Sequence, residues 1–442
     1  MRMLTGLVSA VQSLLGVWAE EVDQESRVIQ RERKFNAATL ARTFILGFLE
    51  KPRATETDLA QTAALCGVRV TPQAVARRFT PALVEFLERL LQKSMQCMLA
   101  RQEAMGNLLD RFPAVQVMDS TTISLPPEYR ERFPGCGGSH GGGQAAMKLQ
   151  VMWDLKSGAL SHMVIEAGRD CDYKTPLQSV PLLPKSLRIC DLGYFSLNVL
   201  ERYSAQDVYW LSRLQFKTSV FSTDGSPLCL MAWLAQQQGP VVDCSILLGS
   251  KHKLPCRLIA WRLPEEVANR RRQKLIAETL SKRGCQPTAE RLAWCDWTIL
   301  VTNVPQDVLS PTECAVLYGA RWQIELLFKR WKSHGLIAEL SGANTVVQMV
   351  RLWSRLLAVL LQHWLMLGTA WGDTNLSLTK VCQTIRRYTT LITLTIDNPE
   401  QFTKELEKLA DMMRHTNRRS KRKRPSTFEL LEAPWRLEYS LS

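Results

Sequence analysis

Apolar residues recur at Leu4, Leu7, Val8, Val11, Leu14, Leu15 and Trp18, with Ser9, Gln12 and Ser13 outside the stripe. That spacing predicts an N-terminal docking helix, not a signal peptide. Helical spacing continues over 36–50, 56–66, 72–78 and 81–106, punctuated by Pro52, Gly67, Pro72 and Pro81. Within this run Thr57-Asp58-Leu59-Ala60 caps a short helix that ends at Gly67, and Thr71-Pro72 opens another carrying Arg77 and Arg78. A helix, a glycine turn and a basic second helix are the parts of a helix-turn-helix that reads DNA. A plain three- or four-helix bundle with two surface arginines gives the same pattern.

From about residue 114 the period changes from helix to strand. Val115-Gln116-Val117-Met118-Asp119 alternates, Met147–Trp153 is a second strand, and Leu160–Glu166 a third after the turn Lys156-Ser157-Gly158. A proline-broken helical stretch (Thr175–Leu183) leads to a fourth strand, Ser186–Asp191; a helix near 196–205 precedes a fifth, Val208–Leu214. Three strands in series and then alternating helix and strand predict an α/β fold, a mixed sheet with helices on its faces. Over about 216–305 the rhythm is interrupted by further strands (Val241–Leu248, Cys256–Trp261, Thr298–Val301) and an arginine-rich helix (Glu265–Lys282), which reads as a β-rich insertion.

The spacing predicts one long helix over 311–334 and further helices over 346–371, 376–389 and 400–414, before the basic run Arg418–Arg424. That run is a solvated tail, a phosphate-contacting segment or a targeting address. The organisation is therefore helical over 1–110, α/β over 111–345, and helical over 346–442, the last a candidate for dimerisation.

Composition narrows the partners. With 56 Lys+Arg against 42 Asp+Glu the formal charge is +14, which favours a polyanion, nucleic acid before an anionic membrane surface. The twelve cysteines include no C-x-x-C pair and fit neither a zinc site nor a disulfide framework; a reducing cytoplasm suits them. The longest hydrophobic stretch, Leu356–Met366, contains Gln362 and His363 and is shorter than the ~20 residues that cross a bilayer.

Asp119 follows Val115 and Val117 at two-residue spacing, and Asp191 follows Leu187 and Ile189 in the same way, so two strands are each expected to end in an inward aspartate. At about 100° per residue, Tyr318, Arg321, Glu325 and Lys332 fall within a helical strip about 60° wide and about 21 Å long. Beside it runs an apolar stripe of Leu317, Ile324, Phe328 and Trp331. An i, i+4 solvent salt bridge between Arg321 and Glu325 accounts for part of this. A carboxylate for a hard divalent cation, with Arg and Lys to hold phosphate oxygens, accounts for the strip and the two aspartates together.

The spacing Y-(2)-R-(3)-E-(6)-K at Tyr318, Arg321, Glu325 and Lys332 resembles the signature of the IS4-type DDE transposases, in the Tn5-like form. Asp119-Ser120-Thr121 and Asp191-Leu192-Gly193-Tyr194-Phe195 resemble that family's two catalytic aspartate segments. The resemblance covers about 114–340. It implies a ribonuclease H-like catalytic core over 111–345, split by the insertion, in which Asp119, Asp191 and Glu325 hold two Mg²⁺ ions, with Mn²⁺ as a substitute. It further implies nicking at transposon ends, a hairpin intermediate, strand transfer into target duplex DNA, and a homodimeric DNA complex. Tyr318, Arg321, Lys332 and Arg213 are then expected to hold DNA phosphates, and Trp297 to stack on a flipped base, with Trp294 as its competitor and a core role as the plain alternative. The expected location is the cytoplasm, with the nucleoid. A nuclease that does not join ends, and a non-catalytic DNA-binding inhibitor of transposition, are the alternatives.

Other features are set aside. Gly135–Gly143 lacks the Gly-Lys-Ser/Thr of a phosphate loop and reads as a mobile loop, with Lys148 beyond it as a candidate DNA contact. Asp154 reads as a turn residue, Glu166, Asp170 and Asp172 as solvated carboxylates, and His334-Gly335 as a helix terminus.

Overall fold

In the computed structural model, which describes residues 2–31, 33–101, 105–137, 144–342, 344–420 and 424–437, the N-terminal stripe folds as two helices. These are α1 (Arg2–Leu14) and α2 (Val17–Ser26), parted by a turn at Leu15-Gly16. Next come α3 (Ala37–Glu50), α4 (Glu56–Leu65), α5 (Pro72–Ala76) and α6 (Pro81–Ser94). Each of α3 to α6 opens on a side-chain cap, from Asn36, Thr55, Thr71 and Thr80 respectively, which satisfies an amide the first turn leaves free. The α6 helix ends well before residue 106. Buried Ser94 turns its hydroxyl back on the Leu90 carbonyl, the kind of local bond that competes with helix propagation.

The strand series is present, with one change that matters for the site. Strand β1 runs over Val115–Ser124, so Asp119 lies inside it and does not end it; β-branched Thr121, Thr122 and Ile123 carry the extended backbone onward. After β2 (Ala146–Asp154) and β3 (Leu160–Ala167), the 172–179 stretch forms two short 3-10 turns in place of a helix. Then follow β4 (Leu187–Cys190), α7 (Leu197–Ala205), β5 (Tyr209–Arg213), β6 (Val220–Phe221), α8 (Leu230–Ala235), β7 (Val241–Leu248), β8 (Leu254–Arg262), α9 (Glu265–Arg283), α10 (Ala289–Ala293) and β9 (Trp297–Thr302).

The predicted single helix over 311–334 is two, α11 (Pro311–Ala320) and α12 (Trp322–Ser333). Arg321 stands at the break, its N–H reaching the Tyr318 carbonyl at 3.3 Å in an i→i−3 bond that tightens the last turn. The strip through Tyr318 and Lys332 is therefore not one unbroken helical face. The remaining helices are α13 (Thr345–Ala370), α14 (Leu378–Arg387), α15 (Thr389–Thr395), α16 (Pro399–Thr416) and α17 (Thr427–Glu432).

The chain divides into two units. The first comprises 1–106, 119–170 and 322–424. Its centre is α13, buried along most of its length and packed by α1, α3, α6, α14 and α16. Leu356–Met366 is thus a core segment. The 3–26 segment is apolar and long enough to cross a membrane, but Leu7, Val11, Leu14 and Leu15 are buried within the unit and Trp18 meets Trp364 edge-on at 6.4 Å. Here β2 pairs antiparallel with β3 and lies next to β1. Asp154 caps the β2–β3 turn as expected, accepting from the Lys156 N–H at 3.1 Å.

The second unit comprises 107–118, 171–321 and 425–442. The first residues of β1 pair parallel with β4, and β4 parallel with β5; from there the order is β5-β9-β8-β7-β6, antiparallel throughout. Strands β6 to β9 therefore prolong the sheet. A core of Leu200, Tyr203, Trp210, Leu234, Leu258 and Trp297, among others, lies on this extension. All twelve cysteines are free thiols. Of the glycine-rich loop and the basic run, 138–143 and 421–423 lie outside the described residues.

Candidate active site

In the second unit, β4 is wholly buried and Asp191 is the first residue beyond it, its backbone carbonyl accepting the Tyr194 N–H at 3.0 Å as the chain turns. The parallel neighbour β5 holds Ser212 opposite Cys190, so its last residue, Arg213, comes level with Asp191 at the carboxyl ends of both strands. Open α/β sheets gather ligand-binding groups at these ends. Helix α11, opened by a Ser310/Glu313 capping box, packs on β5 and brings Tyr318 and Arg321 at its far end.

Arg321 Nε stands 3.5 Å from Asp191 Oδ1, and its guanidinium lies 5.9 Å from the Tyr318 ring centroid. The Arg321 side chain is 15% exposed and that of Asp191 35%. The Tyr318 hydroxyl is buried with no hydrogen-bond partner among the described residues. Burial, with the Asp191 charge second, pushes its pKa up to about 12, against the opposing pull of Arg321 and Arg213. Arg271 of α9, donating to the Trp297 carbonyl at 3.3 Å, has its pKa lowered by burial and then by the charge of Arg213. Arg321 thus faces Asp191, Arg213 stands by Tyr318, and Arg271 stands by Arg213, a grouping of cations that favours an incoming anion.

Asp172, read from sequence as a solvated acid, belongs here too. A Cβ built on Gly193 would stand 3.9 Å from both Asp172 Oδ2 and Asp191 Oδ2, so the two carboxylates are within about 8 Å of each other. It sits on an irregular turn, where no strand-end pattern marks it.

In the first unit, Asp119 is half-buried and its Oδ1 accepts the Ser120 N–H at 2.8 Å. On α12 the stripe Ile324, Phe328 and Trp331 is buried, Glu325 is half-buried and Lys332 exposed. Trp322, 55% exposed on the same helix, escaped the sequence reading because an isolated Trp usually denotes core. Arg77 caps the end of α5 and is exposed; Arg78 follows it and lies over the Phe35 ring at 5.4 Å. Lys148 is buried and donates to the Asp170 carbonyl at 2.6 Å, so it is not the surface contact expected of it.

Trp297, in the second unit, is 5% exposed and has the Arg262 guanidinium 4.8 Å from its ring centroid; Trp294 is half-buried and meets Phe216 edge-on. Among the described residues no group of three or more His, Cys, Asp or Glu is gathered as a metal site.

Comparison with known proteins supplies the family. The model of the transposase DDE domain matches residues 110–361. The chain belongs to the DDE transposases of IS4 type. Relatives of this DDE transposase include the transposase for insertion sequence element IS231F of Bacillus thuringiensis subsp. israelensis, 26% identical over 93% of this chain and 91% of the relative. The transposase for IS1151 of Clostridium perfringens is 27% identical over 65% of each chain. The putative transposase InsL for IS186A of Escherichia coli (strain K12) is 26% identical over 50% of this chain and 57% of the relative. The matched DDE segment contains Asp119, Asp191, Arg213, Trp297, Tyr318, Arg321, Glu325 and Lys332, whereas Arg77 and Arg78 precede it.

Proposed function

We propose that the chain is the DNA transposase of an insertion sequence, cutting at the element's ends and joining them to target DNA, with a hairpin as intermediate. The observation that carries this reading is the second unit's own constellation: Asp191 at the carboxyl end of a parallel strand, faced by Arg321, with Arg213 and an unbonded Tyr318 hydroxyl beside it. Its core is read as ribonuclease H-like, split by the insertion.

The residues fit a hard divalent cation. Asp191 has a one-third-exposed carboxylate that accepts no hydrogen bond among the described residues, and such oxygens are the ligands Mg²⁺ takes. The motif assigns Asp119 and Glu325 as the other ligands of two Mg²⁺ ions, for which Mn²⁺ substitutes. When bound, such ions activate a water or a 3′-hydroxyl and stabilise the leaving oxygen.

The chain's own groups do the rest. Tyr318 keeps its proton at neutral pH and donates it as a hydrogen bond to a phosphate oxygen. Arg213 and Arg321 offset charge that builds up on the phosphorus oxygens. Lys332 holds DNA backbone from the exposed face of α12, while Arg77 and Arg78 serve end recognition. For Trp297 to stack on a flipped base, Arg262 must first leave its ring. The working assembly is read as a homodimer on DNA, in the cytoplasm with the nucleoid.

The test incubates purified protein with a labelled end duplex, plasmid target and Mg²⁺ and resolves nicked, hairpinned and joined strands. Asp119→Ala, Asp191→Ala and Glu325→Ala should each abolish all three products. Unchanged processing in any of them would overturn the ligand assignment, and nicking without joined product would make the chain a nuclease.

A further inference from the structure

One cavity of the second unit is not explained by the catalytic reading. It has a volume of about 360 Å³ and is walled by the start of α7, the 215–219 loop and the 249–252 turn. Among the described residues no Asp or Glu lines it, and its full cations are Lys217 and Lys251. Both are exposed, and no hydrogen bond or ion pair holds either ammonium among the described residues. The nearby imidazole of His252 is engaged by Glu201 at 2.9 Å.

The walls are set before any ligand arrives. Gly249 has φ +77°, and a Cβ there would stand 2.5 Å from Leu197 Cδ1, so the turn after β7 packs tightly against the first residue of α7. Lys217 has φ 71°, a left-handed backbone that a non-glycine residue adopts at a cost, and such strain is concentrated at functional positions. Hydroxyl and amide groups of Ser196, Asn198 and Gln215 complete a polar lining with Phe195 at one side. An open cavity with two cations, neutral donors and no carboxylate among its described lining residues suits phosphate oxygens.

We propose that this cavity seats the sugar-phosphate backbone of duplex DNA, with Lys217 and Lys251 on its phosphates. The proposal rests on the reading of the chain as a DNA-processing enzyme. Phe195 lies four residues after Asp191, so their Cα atoms are at most about 14 Å apart. With one phosphate per ~3.4 Å of rise on each strand, a strand processed at Asp191 reaches the Phe195 wall of the cavity within about four nucleotides. The contact is with backbone, so it adds affinity and register without reading sequence.

The experiment measures binding of the full chain to a labelled end duplex and to an unrelated duplex over a range of salt. Lys217→Gln with Lys251→Gln should make the slope of log K against log salt shallower by about 2, equally for both duplexes. The charge-matched pair Lys404→Gln with Lys408→Gln should leave the slope unchanged. Lys217→Gly removes one charge while relieving the left-handed backbone, so it should raise the unfolding midpoint and still make the slope shallower by about 1, which separates lost contact from misfolding. An unchanged slope in the double variant overturns the proposal. So does a variant that loses only inorganic pyrophosphate binding, because the cavity would then serve a small free anion. Failure of the wild-type chain to bind either duplex would instead sink the transposase reading.

Discussion

Arg321 and Asp191, 130 residues apart in sequence (321 − 191), face each other at 3.5 Å across the end of a parallel strand pair. Strands β5 to β9 all lie between them in the chain. Arg321→Gln should lower single-turnover end cleavage by on the order of 10²-fold, as loss of a preorganised cation does elsewhere. Because Asp191 is about one-third exposed, the pair contributes at most about 1 kcal/mol to folding, and urea midpoints should barely move. A large stability loss with normal cleavage would reverse these roles.

Tyr318→Phe removes a buried hydroxyl that has no partner among the described residues. Stability should therefore hold or rise by up to about 1 kcal/mol, while strand processing falls. The phenol pKa is raised to about 12, so its contribution to stability is complete below pH ~10 and is lost as pH climbs from there toward 12. Denaturation of wild type and Tyr318→Phe across that window should diverge, the variant showing the flatter alkaline limb.

His363 of α13, fully buried, has its Nε2 2.9 Å from the Gly158 carbonyl at the β2–β3 turn, where Trp153 Nε1 also donates. A donating Nε2–H is the tautomer this contact requires. Burial depresses the pKa to about 4, so the neutral ring's contribution is present above pH 6.5 and is lost as pH falls through about 4. His363→Gln, which does not titrate, should flatten stability against pH in that interval, as followed by thermal melts.

Trp297→Ala should cost about 3–5 kcal/mol in urea unfolding, because the ring is buried in a core with Leu200, Trp210 and Leu258. Arg262→Ala, which uncovers one ring face, should cost only about 1 kcal/mol. If base stacking is the ring's main task, Arg262→Ala should also tighten hairpin-stage DNA binding, measured by gel retention.

Local patterns were enough to read most elements. Alternation gave β7 at its observed limits and β2 to within a residue or so at either end, and the apolar stripe Leu317, Ile324, Phe328 and Trp331 is buried as its spacing requires. Failures came where a local rule was overruled. The alternation through Val115 and Val117 marked Asp119 correctly as a strand residue but not the continuation through Ile123. Helical spacing ran through Arg321 because nothing in side-chain polarity records a backbone break. Lys148 read as a surface cation, yet it is drawn in to a carbonyl from 22 residues away. Asp172 was missed because its closeness to Asp191 is set by tertiary folding of an irregular turn. Motif spacing nominated the candidate residues, whereas the neighbours of each required coordinates.

The placement of β9 between β5 and β8 has a consequence for synthesis. Leu211 on β5 pairs with Thr302, so β5 waits 91 residues (302 − 211) for its antiparallel neighbour. During that interval a ribosome-bound chain displays a bare ladder of amides and carbonyls, and the β6–β8 meander has nothing to dock upon. Truncation between Arg213 and Trp297 would therefore release a fragment with an open hydrogen-bonding rim, prone to join its own kind, and a copy frameshifted within that interval should yield insoluble protein.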